Sequence, residues 1–171
     1  QLNSMLPKDI RVLQASQEKD SFHPTIDVLE KTYVYTISSS IFQMPHDRRY
    51  AWHVYYPINL SLMKEAAIHL VGTHDFKGFT NRKPDEVYKD HVRTIQDISF
   101  ERKGDELKIS ITGNHFLYKM IRNIVGTLVY IGCKKLPIHV INNLKIQKDR
   151  TLAGVTAPAH GLSLFNIKYK E

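Results

Sequence analysis

The chain has 171 residues, of which 42% are apolar and 24% charged, enough for a packed core and too apolar for a disordered chain. Its 24 Lys and Arg against 17 Asp and Glu leave a net charge of +7, which favours a polyanionic partner such as nucleic acid or an anionic membrane surface, with a generic basic surface as the alternative. A single cysteine, Cys133, excludes an intrachain disulfide and fits a reducing, cytoplasmic setting, and no apolar run reaches the length of a membrane span.

The opening stretch, Gln1–Lys8, has no initiator Met and no charged-then-apolar signal pattern; it reads as a loop in a chain that continues upstream. Ile10–Ala15 is a candidate short strand. Thr32–Ser38 is a stronger one, because Tyr33, Tyr35 and Ile37 alternate with Thr32, Val34 and Thr36. Phe42–Tyr56 carries Pro45 among basic and aromatic residues and reads as irregular, with a strand near Ala51–Tyr55. A helix follows. Asn59 is its N-cap, Leu62, Ala66 and Leu70 recur at helical spacing with Met63 and Ala67, and Gly72 is expected to stop it as a left-handed C-cap. Thr73–His91 reads as a polar loop.

Arg93–Arg102 and Glu106–Thr112 form a hairpin around Lys103-Gly104-Asp105, in which Ile95, Ile98 and Phe100 face Leu107, Ile109 and Ile111. The step from Ile95 to Ile98 breaks alternation and predicts a bulge or a late strand start. The longest helix spans roughly His115–Ile131, with apolar residues at Phe116/Leu117, Met120/Ile121, Ile124/Val125 and Leu128. Gly126 inside it costs about 1 kcal/mol relative to Ala, so something is expected to pack closely there. Pro137 opens a third helix over about Ile138–Gln147, a loop spans Asp149–His160, and Ser163–Tyr169 closes the chain as a strand. The order predicts an α+β fold, a mostly antiparallel mixed sheet with helices packed on one face.

Few residues suggest chemistry by themselves. His69 and His74 are five apart and need not share a face, so no metal site is expected. Ser163 lacks the second glycine of a nucleophile elbow, and Cys133 has no activating neighbour. What remains is a nucleic-acid pattern. Basic and aromatic residues interleave over His46–Tyr56, and Lys119 and Arg122 sit three apart on the long helix, with His115 one turn before. Such spacing can line a groove that faces phosphates or a carboxylate; on these residues alone a solvated helix face is the favoured reading.

Five segments, in one order, resemble the tRNA pseudouridine synthases that modify the anticodon arm. Gly113-Asn114-His115-Phe116-Leu117-Tyr118-Lys119-Met120-Ile121-Arg122-Asn123-Ile124-Val125-Gly126 is similar to that family's Met-Val/Ile-Arg-Asn-Ile-Val-Gly helix and the aromatic before it. Leu6-Pro7-Lys8-Asp9-Ile10-Arg11-Val12 resembles its L-P-x-D-I-R-V, and Phe22-His23 with Lys31-Thr32-Tyr33-Val34-Tyr35 its F-H and K-x-Y-x-Y. Gly72-Thr73-His74-Asp75-Phe76 with Phe79 resembles its G-x-x-D-F-x-x-F, and Thr156-Ala157-Pro158-Ala159-His160-Gly161-Leu162-Ser163-Leu164 its T-A-x-A-x-G-L-x-L.

The resemblance implies a homodimeric isomerase that converts uridines of the tRNA anticodon stem-loop to pseudouridine, with no metal or organic cofactor and no membrane. Residues 1–171 would be its C-terminal domain. Arg122 would pair with the catalytic aspartate, Tyr33 would contact the uridine, and Leu162 would pack against the base. His115 and Lys119 are further candidate substrate contacts. The aspartate itself, in the family's G-R-T-D-x-G-V-H, has no counterpart here, since no aspartate follows Arg-Thr; a chain without it is expected to be inactive alone. Pro24-Thr25 stands where the family often has Ala-Arg after Phe-His. A core position for Tyr33, a non-catalytic RNA-binding module and a dimerisation domain remain as rival readings.

Overall fold

A computed structural model of the chain describes residues 1–81 and 88–170. The strand built on the alternating tyrosines is the organising element. β1 (Val28–Ser38) pairs antiparallel along one edge with β5 (Glu106–Gly113). Its other edge takes β6 (Leu162–Tyr169) antiparallel, then β2 (Trp52–His53) parallel at Ile37 and Ser38. β4 (Val92–Lys103) completes the predicted hairpin with β5, and β3 (Gly72–Asp75) lies antiparallel on β4. The result is a six-stranded, mostly antiparallel sheet.

The helices are α1 (Leu2–Met5), α2 (Leu60–Ile68), α3 (Met120–Gly132) and α4 (Val140–Gln147). Tyr35, Ile37, Leu107, Ile109 and Ile111 share one sheet face by register, and they form a single core with Met63 and Ala66 of α2, Met120, Ile124 and Leu128 of α3, and Ile141 and Leu144 of α4. The other face carries Thr32, Val34 and Thr36 beside Lys108, Ser110 and Thr112, with the Thr32 and Thr112 hydroxyls 2.9 Å apart. One apolar and one polar sheet face is what the alternation in both strands dictates. The fold is thus α+β, with α2, α3 and α4 in the core of one face.

Several expectations hold in detail. Asn59 Oδ1 accepts from the Leu62 amide at 3.1 Å, as an N-cap should. The register of β4 against β5 shifts between Ile95 and Asp97, where alternation failed in the sequence. Gly126 is met by the backbone of Val155 and Ala157.

Four expectations do not hold. Ile10–Ala15 is not a strand: Leu13 is 97% exposed, and the segment has neither a ladder partner nor a face to bury. Gly72 does have a positive φ of 104°, but α2 has already ended at Ile68, and the glycine turns the chain into β3. β3 itself lay hidden in the supposed loop Thr73–His91, because a four-residue edge strand reading Gly-Thr-His-Asp has no apolar alternation; residues 82–87 of that loop lie outside the described residues. Finally, the long helix begins at Met120, not His115. Lys119 adopts a left-handed φ of 57°, and the preceding backbone bonds elsewhere: the Tyr118 amide donates to Tyr88 Oη and its carbonyl accepts from Thr80 Oγ1. The helical look of Phe116 and Leu117 arises because Leu117 is buried in the core and Phe116 packs on Tyr33.

Candidate active site

Arg122 is the third residue of α3, and its direction is set by a neighbouring strap of chain. Its Nε donates to the Ala157 carbonyl at 2.6 Å, and the Ala157 amide donates back to the Arg122 carbonyl at 3.1 Å. Among the described residues its two terminal nitrogens have no hydrogen-bond or ion-pair partner. A guanidinium held at Nε with its outer edge open is a fork waiting for a planar anion, a carboxylate above all.

Tyr35 closes the site from beneath. Its ring is fully buried and its Oη donates to the Pro158 carbonyl at 2.7 Å, one residue beyond the carbonyl that holds Arg122. Burial pushes the phenol well up, against an opposing pull from the Arg122 charge, so Tyr35 remains a protonated donor at neutral pH. Gly161 allows the close approach: a Cβ there would lie 2.7 Å from the Tyr35 ring.

Tyr33, two residues along β1, shares that face and is half-buried. Phe116 meets it edge to face, with centroids 5.4 Å apart at 89°. Burial raises this phenol too, and among the described residues its hydroxyl has no hydrogen-bond partner. Leu162 stands opposite Tyr35 in the β1–β6 register and is half-exposed. Arg122, Tyr33 and Leu162 are therefore brought together around Tyr35.

His115 and Lys119 are not on the Arg122 helix. His115 is mostly exposed; the partial burial of its ring, then the charges of Lys31, Arg93 and Lys170, lower its pKa. Lys119 extends its Nζ over the Tyr118 ring, 5.0 Å from the centroid. Among the described residues no hydrogen bond or ion pair joins either to Arg122.

Behind Arg122 lies a polar cluster the residue spacing did not reveal. Asn123, fully buried, donates through Nδ2 to the Phe79 carbonyl (2.7 Å) and Asn81 Oδ1 (2.8 Å), and its Oδ1 accepts from Arg150 Nη2 (2.9 Å) and Thr156 Oγ1 (2.7 Å). The available signal was a pair of polar residues, Asn123 and Thr127, set among the apolar residues of α3.

The sequence profile described as tRNA pseudouridine synthase matches residues 66–170. The chain belongs to the tRNA pseudouridine synthase family. Among its relatives, tRNA pseudouridine synthase A 2 of Protochlamydia amoebophila is 47% identical over 169 residues, covering 98% of this chain and 64% of the relative. The tRNA pseudouridine synthase A of Thermoanaerobacter sp. (strain X514) is 45% identical over 168 residues, 98% of this chain and 68% of the relative. That of Bacillus subtilis is 41% identical over 168 residues, 98% and 67%. The chain thus spans 64–68% of the length of these tRNA pseudouridine synthases.

Three of the five motif segments meet at one place in this chain: Tyr33-Val34-Tyr35, the run ending at Gly126, and Thr156–Leu164. Of the other two, the Gly72–Phe79 segment touches this place from behind, through the Phe79 carbonyl that accepts from Asn123 Nδ2. Phe76 and Phe79 are core residues, and Asp75 binds the Lys77 amide and Lys148 Nζ at 2.9 and 2.6 Å. The Leu6–Val12 segment is mostly exposed. Among the described residues, no helix is long and apolar enough to cross a membrane.

Proposed function

We propose that the protein of which these residues are part isomerises uridine to pseudouridine in the anticodon stem-loop of tRNA. Arg122 is the receptor for the aspartate nucleophile, which comes from outside these 171 residues, and residues 1–171 are the C-terminal domain. The observation that carries the reading is the Arg122 guanidinium held at Nε by Ala157, with no partner for its outer edge among the described residues. The charge of the guanidinium favours the ionised, nucleophilic carboxylate. In the reaction the bond from the sugar to nitrogen breaks, the base turns, and a bond from the sugar to carbon forms; the proton lost from that carbon is balanced by one gained at nitrogen. The Tyr33 ring stacks on the extruded base, its hydroxyl serves proton transfer, and Leu162 packs against the base. His115 and Lys119 contact the RNA, whose phosphates suit the net charge of +7. The protein works as a homodimer in the cytoplasm, without metal or organic cofactor.

The test is Arg122→Ala in the complete enzyme, read by single-turnover pseudouridine formation on tRNA. The rate should fall by at least about a hundredfold, the scale of a lost electrostatic partner. An unchanged rate removes Arg122 from the site. These 171 residues alone should form no pseudouridine; turnover by them would refute the external nucleophile.

A further inference from the structure

Arg122 is only as well aimed as the strap that holds it, and that strap is fastened by groups with no assigned role. Residues 154–157 cross α3 backbone to backbone. A Cβ on Gly126 would collide with the Val155 carbonyl oxygen, and one on Gly154 would lie 2.6 Å from the Gly126 carbonyl oxygen. Such close packing is short-range, and it leaves lateral sliding to be stopped by hydrogen bonds. Arg150 supplies them. Its Nη1 donates to the Gly154 carbonyl at 3.0 Å, and its Nη2 donates to Asn123 Oδ1 and Thr156 Oγ1, each at 2.9 Å. Thr156 Oγ1 in turn donates to Asn123 Oδ1 at 2.7 Å, and the Gly154 amide reaches Thr127 Oγ1 at 3.1 Å. One guanidinium thereby ties Gly154 and Thr156 of the strap to the residue that follows Arg122.

Arg150 is a poor choice for stability alone. Among the described residues it has no carboxylate partner, and its Nε is buried with no hydrogen bond. Burial lowers its pKa, the sign of a cation whose lost hydration is not fully replaced. A half-buried cation kept under those terms fits a geometric task.

We propose that Arg150, acting with Asn123 and Thr156, is the positioning group for Arg122: it locks the 154–157 strap so that the Ala157 carbonyl fixes the direction of the Arg122 guanidinium. This rests on the role proposed above for Arg122. Removing the lock leaves α3 in place but lets the Ala157 carbonyl drift. Misplacement of a reacting partner by about an ångström is enough to slow a reaction about a hundredfold.

The test uses the complete enzyme with Arg150→Met, Thr156→Val and the conservative Thr156→Ser. Side-chain nitrogen NMR follows exchange of the Arg122 Nε–H with solvent, which is slow when that proton is held by Ala157. Arg150→Met and Thr156→Val should each speed this exchange by about tenfold or more, and Thr156→Ser should leave it near the parent value. Single-turnover rates should fall by about tenfold or more in the first two with tRNA affinity unchanged, and stay near the parent in Thr156→Ser. If Arg150→Met does not fold, the isosteric Thr156→Val carries the test. Unchanged exchange in Thr156→Val overturns the positioning role, whatever Arg122 does in catalysis. Faster exchange at an unchanged rate keeps the lock and refutes the catalytic role of Arg122.

Discussion

Gly126→Ala tests the contact between α3 and the strap most directly. In an ordinary helix interior this change gains about 1 kcal/mol from helix propensity. Here the added methyl group would overlap the Val155 carbonyl oxygen and stand 2.9 Å from its carbonyl carbon and 3.3 Å from the Ala157 nitrogen. These are backbone atoms that cannot rotate aside, so the strap must retreat. Retreat breaks the Arg122 Nε bond to Ala157, the Ala157 amide bond to Arg122 and the Gly154 amide bond to Thr127. At about 1 kcal/mol each these outweigh the propensity gain and leave a net loss of about 2 kcal/mol. Thermal and urea unfolding of the complete protein should show it, as a fall in Tm of about 4–8 °C. A variant as stable as the parent, or more so, would mean that the strap does not lie on the helix as described, and the account of Arg122 would fall with it.

Two further outcomes are expected. Asn123→Asp should destabilise the protein by about 2–4 kcal/mol in urea unfolding even though it adds a carboxylate beside Arg150, because the two donors to the Phe79 carbonyl and Asn81 Oδ1 become acceptors facing acceptors; a more stable variant would show the amide to be oriented the other way. His115 should titrate below the ordinary imidazole value of 6.5, first because its ring is partly desolvated and then because Lys31, Arg93 and Lys170 repel a second positive charge. The unfolded chain then binds the proton more tightly than the folded one, so this group's contribution to stability is complete above the ordinary imidazole pKa and declines as pH falls through it. Proton NMR of His115 in Lys31→Met should show the value move upward; a titration at or above 6.5 in the parent would refute the cluster.

Much of the fold was legible because it is written in local periodicity. Alternation in β1 and β5, the Lys103-Gly104-Asp105 turn, the Asn59 cap and the apolar stripe of α3 each act within a few residues of themselves. Gly126 even announced a long-range contact, since an unfavourable residue in a good helix needs a packing reason. What failed lacked local support: Ile10–Ala15 is rich in apolar residues but has no partner, β3 has a partner but does not alternate, and Phe116 and Leu117 mimic a helical stripe on a chain that turns left-handed at Lys119. The same division runs through the site. The order of the motifs carried the family and singled out Arg122, Tyr33 and Leu162. That Tyr35 underlies them, that Ala157 holds Arg122 and that Arg150 bonds Gly154 and Thr156 just before it are matters of residues up to 123 positions apart meeting in space. Their sequence neighbours do not determine which carbonyl a buried hydroxyl or guanidinium will reach. The folded core does, because a buried donor without an acceptor is too costly to keep, and only the packing of β1, α3 and the strap puts those acceptors within reach.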